Sequence, residues 1–538
     1  MTDENCAEVL ARSLVTAGVT TMFGYPGDPT IELMEQARRQ GIDVVLARRE
    51  GTAAFMAEGQ AALTGSLGVA FSTLGPGSTA LVNGVAAAQL DRVPMLALSG
   101  QIESGSEQFF THQVVDHKLL FSPITKWSGR LEPRSAATVI RKAIRTATAE
   151  RPGAVHLTCP NDSLTATALD GEVLAVPLGR ERQATVVVER AAGAAGPLEL
   201  LGGARRPIVL AGISAARAEA SASLVAFAEA LGAPVVVAPM AKGVFPESHP
   251  LFAGVSDVAC NKVVKEFMDG ADLIVAVGFD PVELVKPWTF KAPVLHLDST
   301  PNTDQIYAAP CEVTGDIAAV LDWLTAGWRG EPRWSDGEVA AHRERLRAAY
   351  YAGRTSGRLN PSDVVDLVQS ALPADTVVTT DVGSHKFLVA QGWRTERPRS
   401  VLMSNGLSAM GFGLPAAIAA AMTVPGHQVV AMIGDGGFAM TATELRLAAR
   451  LGLGLVCVVF TDGSLNRIEL KQMAIGYPST ATQLEEMDLV ALAGGLACDG
   501  VRVDSEGDLE KVLGDLGGLT RPLIIEAQID PAQYLAQF

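Results

Sequence analysis

Long apolar runs are missing from this sequence. A helix that crosses a membrane needs about 18 consecutive apolar residues, and no run in the 538 residues reaches that length. Positive charge is also scarce: 43 lysines and arginines stand against 59 aspartates and glutamates, which leaves a net charge of -16. This balance argues against nucleic acid or an anionic membrane as the main partner.

Cysteine is equally sparse. The six cysteines are scattered along the chain, and none forms a C-x-x-C pair. A disulfide framework and a zinc site are therefore not expected, and the cysteines are predicted to be reduced core residues of a cytoplasmic protein. The opening "MTDENCAEVL" is polar and acidic, unlike a signal peptide.

The chain is rich in the patterns of a globular α/β protein. Hydrophobic residues make up 48% of it, and a chain of this length is expected to divide into about two to four domains. Short valine-rich runs bounded by glycine alternate with helical patterns, as in buried parallel sheets. The prediction is three successive parallel-sheet α/β domains at 1–170, 190–335 and 358–538, with linkers at 161–197 and 327–338.

Two stretches resemble each other internally. Residues 67–100 and 428–463 both follow the order strand, glycine loop, helix, strand, with nearly the same lengths. The first and third domains are therefore predicted to have similar folds that pair across one ligand.

Two aspartates follow neighbouring strands of the second stretch. Asp435 comes after "QVVAMIG" and Asp462 after "LVCVVFT", and ligands bind at the carboxyl ends of such strands. Asp435 lies within Gly434 to Gly437, where backbone N–H groups and a helix start suit a phosphate. Two carboxylates beside a phosphate suit Mg²⁺. The alternative is that both are ordinary turn residues.

This pattern resembles the thiamine diphosphate signature, and further motifs extend the resemblance over nearly the whole chain. They are similar to the acetohydroxyacid (acetolactate) synthase branch of that enzyme family. The resemblance implies a pyrimidine-binding first domain, a central structural domain and a diphosphate-binding third domain. The motifs are "FGYPG" (23–27), "REGTAAFMAEGQAALTG" (49–65), "GPG" (75–77), "TTDVGSHK" (379–386) and "SNGLSAMGFGLPAAIAA" (404–420).

The resemblance also implies a set of cofactor and metal residues. Mg²⁺ would be held by Asp435, Asp462 and the main-chain oxygen of Ser464; the family usually has Asn at position 462. The implied cofactor-binding residues are Pro26, Gly27, Glu50, Gly383, Ser384, His385, Gly406, Ser408, Met410, Gly434, Asp435, Gly436, Gly437 and Asn466.

Met410 would be an apolar wedge that bends the cofactor, and the Ser408 carbonyl would accept a hydrogen bond from the cofactor's amino group. For Met410 the alternative is an ordinary core residue. For His385 it is a solvated loop residue.

Three residues carry implied catalytic roles. Glu50 follows the strand "DVVLA" and begins a helix, where a glutamate also simply favours the helix dipole. The resemblance implies instead that it donates a hydrogen bond to the pyrimidine ring and so promotes loss of the thiazolium C2 proton. Gln113 matches a glutamine beside the thiazolium. At position 112 acetohydroxyacid synthases have Phe, and the His in this sequence resembles the carboxyethylarginine synthases instead. The alternative is that His112 and His117 are surface residues.

The implied activity is a thiamine diphosphate- and Mg²⁺-dependent carboligase or acyltransferase. It would decarboxylate a 2-oxo acid, in the first place pyruvate, and join the product to an acceptor carbonyl. The alternatives are a simple decarboxylase, a 2-hydroxyacyl-CoA lyase and a non-catalytic binding protein on the same fold. FAD is expected to be absent because "LAGISA" and "VGFDP" depart from the flavin-associated pattern. A homodimer or homotetramer is implied, since the first and third domains of this family meet across subunits.

One departure from the branch concerns the substrate. Lys471 stands where acetohydroxyacid synthases typically have Trp, and Arg467 replaces a residue that is usually apolar. Two cations there suit an anionic group on a substrate. The alternative is a solvated helix face paired with Glu469.

Overall fold

The structure is a computed structural model that describes residues 4–170, 185–331 and 334–538. It contains three sheets, one in each of three successive α/β domains, which confirms the predicted fold class. Within the described ranges, no helix is both long and apolar enough to cross a membrane.

The first domain is a six-stranded, all-parallel sheet. Its strands are β1 (Thr21–Tyr25), β2 (Asp43–Leu46), β3 (Gly68–Ser72), β4 (Met95–Gln101), β5 (Trp127–Arg130) and β6 (Ala154–Pro160). Its helices are α1 (Cys6–Thr16), α2 (Ile31–Arg39), α3 (Glu50–Thr64), α4 (Pro76–Leu90), α5 (His117–Phe121), α6 (Ala136–Thr148) and α7 (Asn161–Thr165). The strand order is β2-β1-β3-β4-β6-β5.

The central domain has seven strands, of which the edge strand β7 alone pairs antiparallel. The strands are β7 (Val187–Arg190), β8 (Pro207–Ala211), β9 (Val235–Val237), β10 (Phe252–Val255), β11 (Leu273–Val277), β12 (Val294–Asp298) and β13 (Cys311–Thr314). The helices are α8 (Pro197–Gly203), α9 (Ile213–Arg217), α10 (Ser221–Leu231), α11 (Asn261–Asp269), α12 (Ile317–Gly327) and α13 (Asp336–Tyr350). The order is β10-β9-β8-β11-β12-β13-β7.

The two predicted linkers are only partly described. Residues 171–184 of the first and 332–333 of the second lie outside the described residues. Within the first, β7 is not a linker, because it adds a strand to the central sheet beside β13.

The third domain repeats the topology of the first. Its strands are β14 (Val377–Thr380), β15 (Val401–Met403), β16 (Val429–Gly434), β17 (Val456–Thr461), β18 (Asp499–Val503) and β19 (Leu523–Gln528). Its helices are α14 (Pro361–Ala371), α15 (Ser384–Gly392), α16 (Gly413–Thr423), α17 (Asp435–Thr441), α18 (Leu445–Arg450), α19 (Asn466–Ala474), α20 (Leu489–Gly495) and α21 (Glu506–Leu513). The parallel order β15-β14-β16-β17-β19-β18 equals that of the first sheet, strand for strand.

The first and third domains share one core. Helix α3 packs on α16 so closely that a Cβ on Gly59 would lie 2.7 Å from the Cα of Ala416. The rings of Phe55 and Phe412 meet edge to face, with centroids 5.9 Å apart. This contact fixes α3 against the third domain of the same chain.

The helix between the two aspartate-bearing strands differs from the prediction. The periodicity of residues 441–452 indicates one helix, whereas the structure has α17, a 3₁₀ turn at Ala442–Glu444 and then α18. The turn carries the Glu444 carboxylate to α3, where it accepts hydrogen bonds from the Arg48 N–H at 2.8 Å and from the Thr52 hydroxyl. This long-range contact accounts for the break.

Candidate active site

Asp435 ties together the ends of two neighbouring strands. It begins α17 directly after β16. Its Oδ2 accepts hydrogen bonds from the N–H groups of Gly463 at 2.9 Å and Asp462 at 3.2 Å, which follow β17. Its Oδ1 accepts one from Gly436 at 2.8 Å. Burial raises the pKa of this carboxyl although the backbone donors oppose the shift.

Asp462 lies beside this first carboxylate. Its Oδ1 accepts a hydrogen bond from the Ser464 N–H at 3.1 Å. Burial, and then the charge of Asp435, raise the pKa of Asp462 to about 7. Two partly buried carboxylates are costly as a pair of anions, and a divalent cation removes that cost. The donor set therefore fits Mg²⁺.

The metal set needs oxygens besides carboxylates. In the described part of the chain, no group of three or more His, Cys, Asp or Glu residues is arranged to hold a metal. Ser464 is the third predicted ligand, through its main-chain oxygen. Its position is fixed by an antiparallel bridge to Gln483 and by its hydroxyl, which donates to Glu469. A phosphate would complete a hard oxygen shell.

His385 is buried against this edge and is not a solvated loop residue. It is 5% exposed, and its ring stacks on Phe460 with centroids 5.6 Å apart. A Cβ on Gly434 would lie 2.9 Å from its Cε1. Its buried Nε2 has no hydrogen-bond partner among the described residues, which is rare for a buried polar atom and leaves the atom available to a ligand. Burial lowers its pKa to about 3.

Two further predicted residues meet at the same edge. Ser384 begins α15 after Gly383, and Asn466 begins α19. The Ser384 hydroxyl donates to the Asn466 Oδ1 at 2.8 Å, and both residues are buried. The starts of two nine-residue helices thus lie beside Asp435, where their N–H groups favour an anion.

The loop from Asn405 to Gly411 arches over this edge. Ser408 has φ of 54°, a conformation rare for a residue with a side chain. Gly406 donates its N–H to Asp91 of the first domain. Met410 is only partly buried, so it is not an ordinary core residue. A Cβ on Gly436 would lie 3.4 Å from its methyl carbon, which directs Met410 over the glycine loop.

Glu50 lies at the carboxyl edge of the first sheet. It begins α3 and is partly exposed. A Cβ on Gly77 would lie 3.1 Å from its Oε1. Nearby, Pro26 and Gly27 follow β1, and the Gly27 N–H donates to the Thr30 hydroxyl at 3.1 Å. Among the described residues, no hydrogen bond or ion pair engages the Glu50 carboxyl.

Gln113 lies near this group through its backbone, although its side chain is exposed. The backbone of Gln113, with φ of 60°, packs on Gly75, where a Cβ would lie 2.6 Å from its carbonyl oxygen. His112 is exposed and contacts Phe110 edge to face. His117 is 3% exposed and therefore not a surface residue.

Two hydroxyl groups hold the His117 ring. The Ser78 oxygen lies 2.9 Å from its Nε2 and the Thr158 oxygen 3.3 Å from its Nδ1. Burial lowers the pKa of His117 to about 4, and the charge of Arg130 adds to this shift. The ring is therefore neutral near pH 7.

Comparisons with known proteins give matches over nearly the whole chain. The thiamine pyrophosphate enzyme N-terminal, central and C-terminal domains match residues 4–120, 196–324 and 381–527. An acetolactate synthase of Mycobacterium bovis is 32% identical, over 97% of this chain and 87% of its own length. One of Bacillus subtilis is 29% identical, over 97% and 93%. A probable 2-ketoarginine decarboxylase of Pseudomonas aeruginosa is 31% identical, over 95% and 90%.

The chain belongs to the acetolactate synthase-like family of thiamine pyrophosphate enzymes. Thiamine pyrophosphate and thiamine diphosphate are the same cofactor, so the predicted family and enzyme class are confirmed. In this acetolactate synthase-like chain the predicted site residues form two groups, one at the first sheet and one at the third. The individual roles of these residues stay predictions.

Sequence reasoning missed the buried carboxylates that support these groups. Asp381 follows β14 and accepts the Gly411 N–H at 2.9 Å, and burial raises its pKa to about 6. Asp91 ends α4 and accepts the N–H groups of Asn405 and Gly406. Asp381 stands in the quoted motif "TTDVGSHK", so its place after a strand was a usable signal. Asp91 had none, because its partners lie far along the chain.

Proposed function

We propose that this chain is a thiamine diphosphate- and Mg²⁺-dependent carboligase or acyltransferase. It decarboxylates a 2-oxo acid, with pyruvate as the first candidate, and joins the product to an acceptor carbonyl. The observation that carries the proposal is the Asp435–Asp462 pair at adjacent strand ends, beside the partnerless Nε2 of His385. When bound, thiamine diphosphate supplies an electron sink for decarboxylation.

The third domain holds the cofactor's charged end in this proposal. Asp435, Asp462 and the Ser464 carbonyl bind Mg²⁺, whose charge offsets both the carboxylates and the diphosphate. Backbone N–H groups of Gly434 to Gly437 and of the loop at Gly383, together with Ser384, His385 and Asn466, bind the diphosphate. Met410 and the Ser408 carbonyl orient the ring system.

Glu50 acts on the other end of the cofactor. Glu50 would form a hydrogen bond with the pyrimidine ring, and Gln113 would orient the substrate. Glu50 is partly exposed in the single chain. In this proposal the first domain of one chain faces the third domain of another, so that a second subunit covers Glu50.

Exposed apolar side chains support such a subunit contact. Tyr25, Phe109 and Leu119 are exposed in the first domain, and Tyr25 directly precedes Pro26. Met440, Ile475 and Tyr477 are exposed in the third, along the segments that carry the metal residues. Exposed apolar surface of this kind marks interfaces. The working unit is therefore a homodimer or homotetramer in this proposal, which light scattering of the purified protein tests.

The two cations near the predicted pocket differ in their surroundings. The Arg467 guanidinium carbon lies 4.1 Å from the ring centroid of Phe538 and 5.2 Å from that of Phe387, so aromatic packing already engages it. Lys471 is exposed. We retain the proposal that an anionic group on the substrate suits this position and that the preferred acceptor is not a second pyruvate. Lys471 becomes the stronger candidate of the two.

Simple decarboxylation is the second candidate, favoured by the similarity to the probable 2-ketoarginine decarboxylase. Mass spectrometry of products distinguishes the two. The protein is incubated with thiamine diphosphate, Mg²⁺ and pyruvate or 2-ketoarginine, with and without a panel of carbonyl acceptors. A new carbon–carbon bond supports the carboligase, and an aldehyde alone supports the decarboxylase. Absence of any cofactor-dependent product contradicts both.

In this proposal the protein binds no FAD and is located in the cytoplasm. A cavity of about 530 Å³ lies between the three domains and is lined by Arg92, Arg217 and Arg399 among others. Two buried nitrogens of Arg217 have no hydrogen-bond partner within the described ranges, which suits an anionic ligand. Visible flavin absorption in the purified protein therefore tests the expected absence of FAD.

The six cysteines are free and buried, which supports a cytoplasmic location.

A further inference from the structure

Asn405 is bonded through all four of its polar groups. It is 5% exposed. Its N–H donates to Asp91 Oδ1 at 3.0 Å and its Nδ2 to the Glu283 carbonyl at 3.0 Å. Its Oδ1 accepts from the Lys386 Nζ at 3.1 Å, and its carbonyl accepts from the Ser408 hydroxyl at 2.9 Å. The bonds to Asp91, Glu283 and Lys386 are buried, where an unmade hydrogen bond is costly.

These partners come from all three domains. Asp91 ends α4 of the first domain. Glu283 ends a 3₁₀ turn, Pro281–Glu283, in the central domain. Lys386 belongs to α15 of the third domain, next to His385. Asn405 is therefore a point at which the three domains meet, although the central domain supplies none of the predicted cofactor contacts.

The fourth bond reaches the cofactor loop. Ser408 adopts a left-handed φ of 54°, which costs free energy for a residue with a side chain unless neighbouring contacts hold it. Its hydroxyl bond to the Asn405 carbonyl is such a contact. The far end of the loop is held as well, because Gly411 donates its N–H to Asp381.

The charges around Asn405 make an amide the suitable side chain. On one side lies Asp91, whose neighbour Glu58 is also a buried carboxyl group. On the other side lies the buried ammonium of Lys386. An amide donates to one domain and accepts from another without adding a charge between them.

We propose that Asn405 is a positioning residue through which the central domain holds the cofactor loop in its working shape. The inference rests on the proposed function, because it takes the Ser408 carbonyl and Met410 as the groups that orient the cofactor. A loop displaced by a fraction of an ångström would leave the fold intact while it misaligns the cofactor.

Asn405→Ala and Asn405→Asp test this directly. Asn405→Ala removes both side-chain bonds. Asn405→Asp keeps the size of the side chain and the bond from Lys386 but loses the donor to Glu283. We expect Asn405→Ala to slow exchange of the cofactor C2 proton about 10–100-fold at saturating thiamine diphosphate. Asn405→Asp should show a loss of the same kind, because it adds a carboxylate beside buried Asp91 and turns an oxygen toward the Glu283 carbonyl. Both variants should weaken cofactor affinity measured by calorimetry on the apoprotein.

Asn302→Ala is the matched control. Asn302 is also a buried asparagine, and its Nδ2 donates to the Tyr307 carbonyl at 3.0 Å within the central domain. It should lower the melting temperature without changing cofactor affinity or exchange. The inference is wrong if the folded Asn405 variants match the wild type in both cofactor affinity and exchange of the C2 proton. It is also wrong if Asn302→Ala loses as much affinity and exchange as they do.

The wild-type protein separates this inference from the function beneath it. If the wild type neither binds thiamine diphosphate nor exchanges its C2 proton, the proposed function fails and the inference falls with it. If the wild type does both, only the Asn405 variants decide. Should Asn405→Ala not fold, Asn405→Asp carries the comparison because it preserves the volume.

Discussion

The first and third domains have the same strand order but different chemistry at the same edge. In the third, the strands β16 and β17 are followed by Asp435 and Asp462. In the first, the equivalent strands β3 and β4 end in Ser72 and Gln101, and the titratable group is Glu50 after β2. One scaffold has thus been used twice, and the residues that follow its strands give the two edges different chemistry.

The difference fits a cofactor whose two ends have different chemistry. A charged diphosphate needs the glycine loop, the helix starts and a cation. A pyrimidine ring needs one carboxyl group in an apolar setting. Each domain offers one of these environments, and the following substitutions probe them separately.

The largest effect is expected at the metal site. Asp435→Asn removes a charge opposite the cation, and loss of a partner from a buried ion pair costs about 3–5 kcal/mol. Affinity for thiamine diphosphate with Mg²⁺ should then fall about 10²–10⁴-fold by calorimetry. Asp462→Asn is the control, because it installs the residue usual in the family and should stay within about tenfold of the wild type. Equal losses of cofactor affinity in both variants would show that Asp435 and Asp462 do not differ in their contribution to binding.

Glu50→Gln should separate chemistry from binding. The amide keeps the size of the side chain but is a poor proton donor, so exchange of the cofactor C2 proton should slow at least ~10²-fold. Affinity for the cofactor should change little, because the diphosphate is bound by the other domain. Exchange at the wild-type rate, measured by NMR after acid quench, would remove Glu50 from its proposed role.

Acid should weaken the first domain through His117. Its pKa in the fold is about 4, below the ordinary value of 6.5, so the unfolded chain binds more protons between these two pH values. Stability therefore falls as pH drops through this window, by about 1.4 kcal/mol for each pH unit fully within it. Buried carboxyl groups such as Glu58 have raised pKa values and act with the opposite sign.

A comparison of variants isolates the His117 contribution. Denaturant unfolding at pH 7.5 and 5.5 should show about 1 kcal/mol less pH dependence in His117→Gln than in the wild type. His112→Gln replaces an exposed histidine of the same segment and should leave that dependence unchanged. The burial argument fails if both variants behave alike.

The smallest effect is expected for the substrate cations. Lys471→Ala should raise the KM of the preferred acceptor roughly 5-fold, the scale of an exposed ion pair, and leave C2–H exchange unaltered. Arg467→Ala should also lower the melting temperature, because Arg467 packs on Phe538. The opposite outcome is acetolactate formation from pyruvate alone at an ordinary enzymatic rate, with Lys471 dispensable. Lys471 in place of the typical Trp would then have no influence on the choice of substrate.

Local patterns predicted the parts of the site that local sequence encodes. The positions of Asp435 and Asp462 at strand ends follow from short valine-rich runs and glycine, and the repeat predicted the shared topology. Burial of His117 and His385 was not foreseen, because it depends on strands that pack from elsewhere in the chain. Asp91 and Asn405 are 314 residues apart in sequence, so their hydrogen bond leaves no periodic signal. The helix break at Glu444 has the same origin, since its partner Arg48 is 396 residues away.

The central claim is that the first domain of one chain and the third domain of another build one site. Complementation between chains tests this claim most directly. Glu50→Gln and Asp435→Asn chains with different tags are co-expressed, and the mixed dimers are purified through both tags. A site shared between chains leaves one of two sites intact, so about half of the wild-type activity should return in dimers whose parents are each inactive. Mixed dimers as inactive as both parents would contradict the account, because each site would then lie within a single chain.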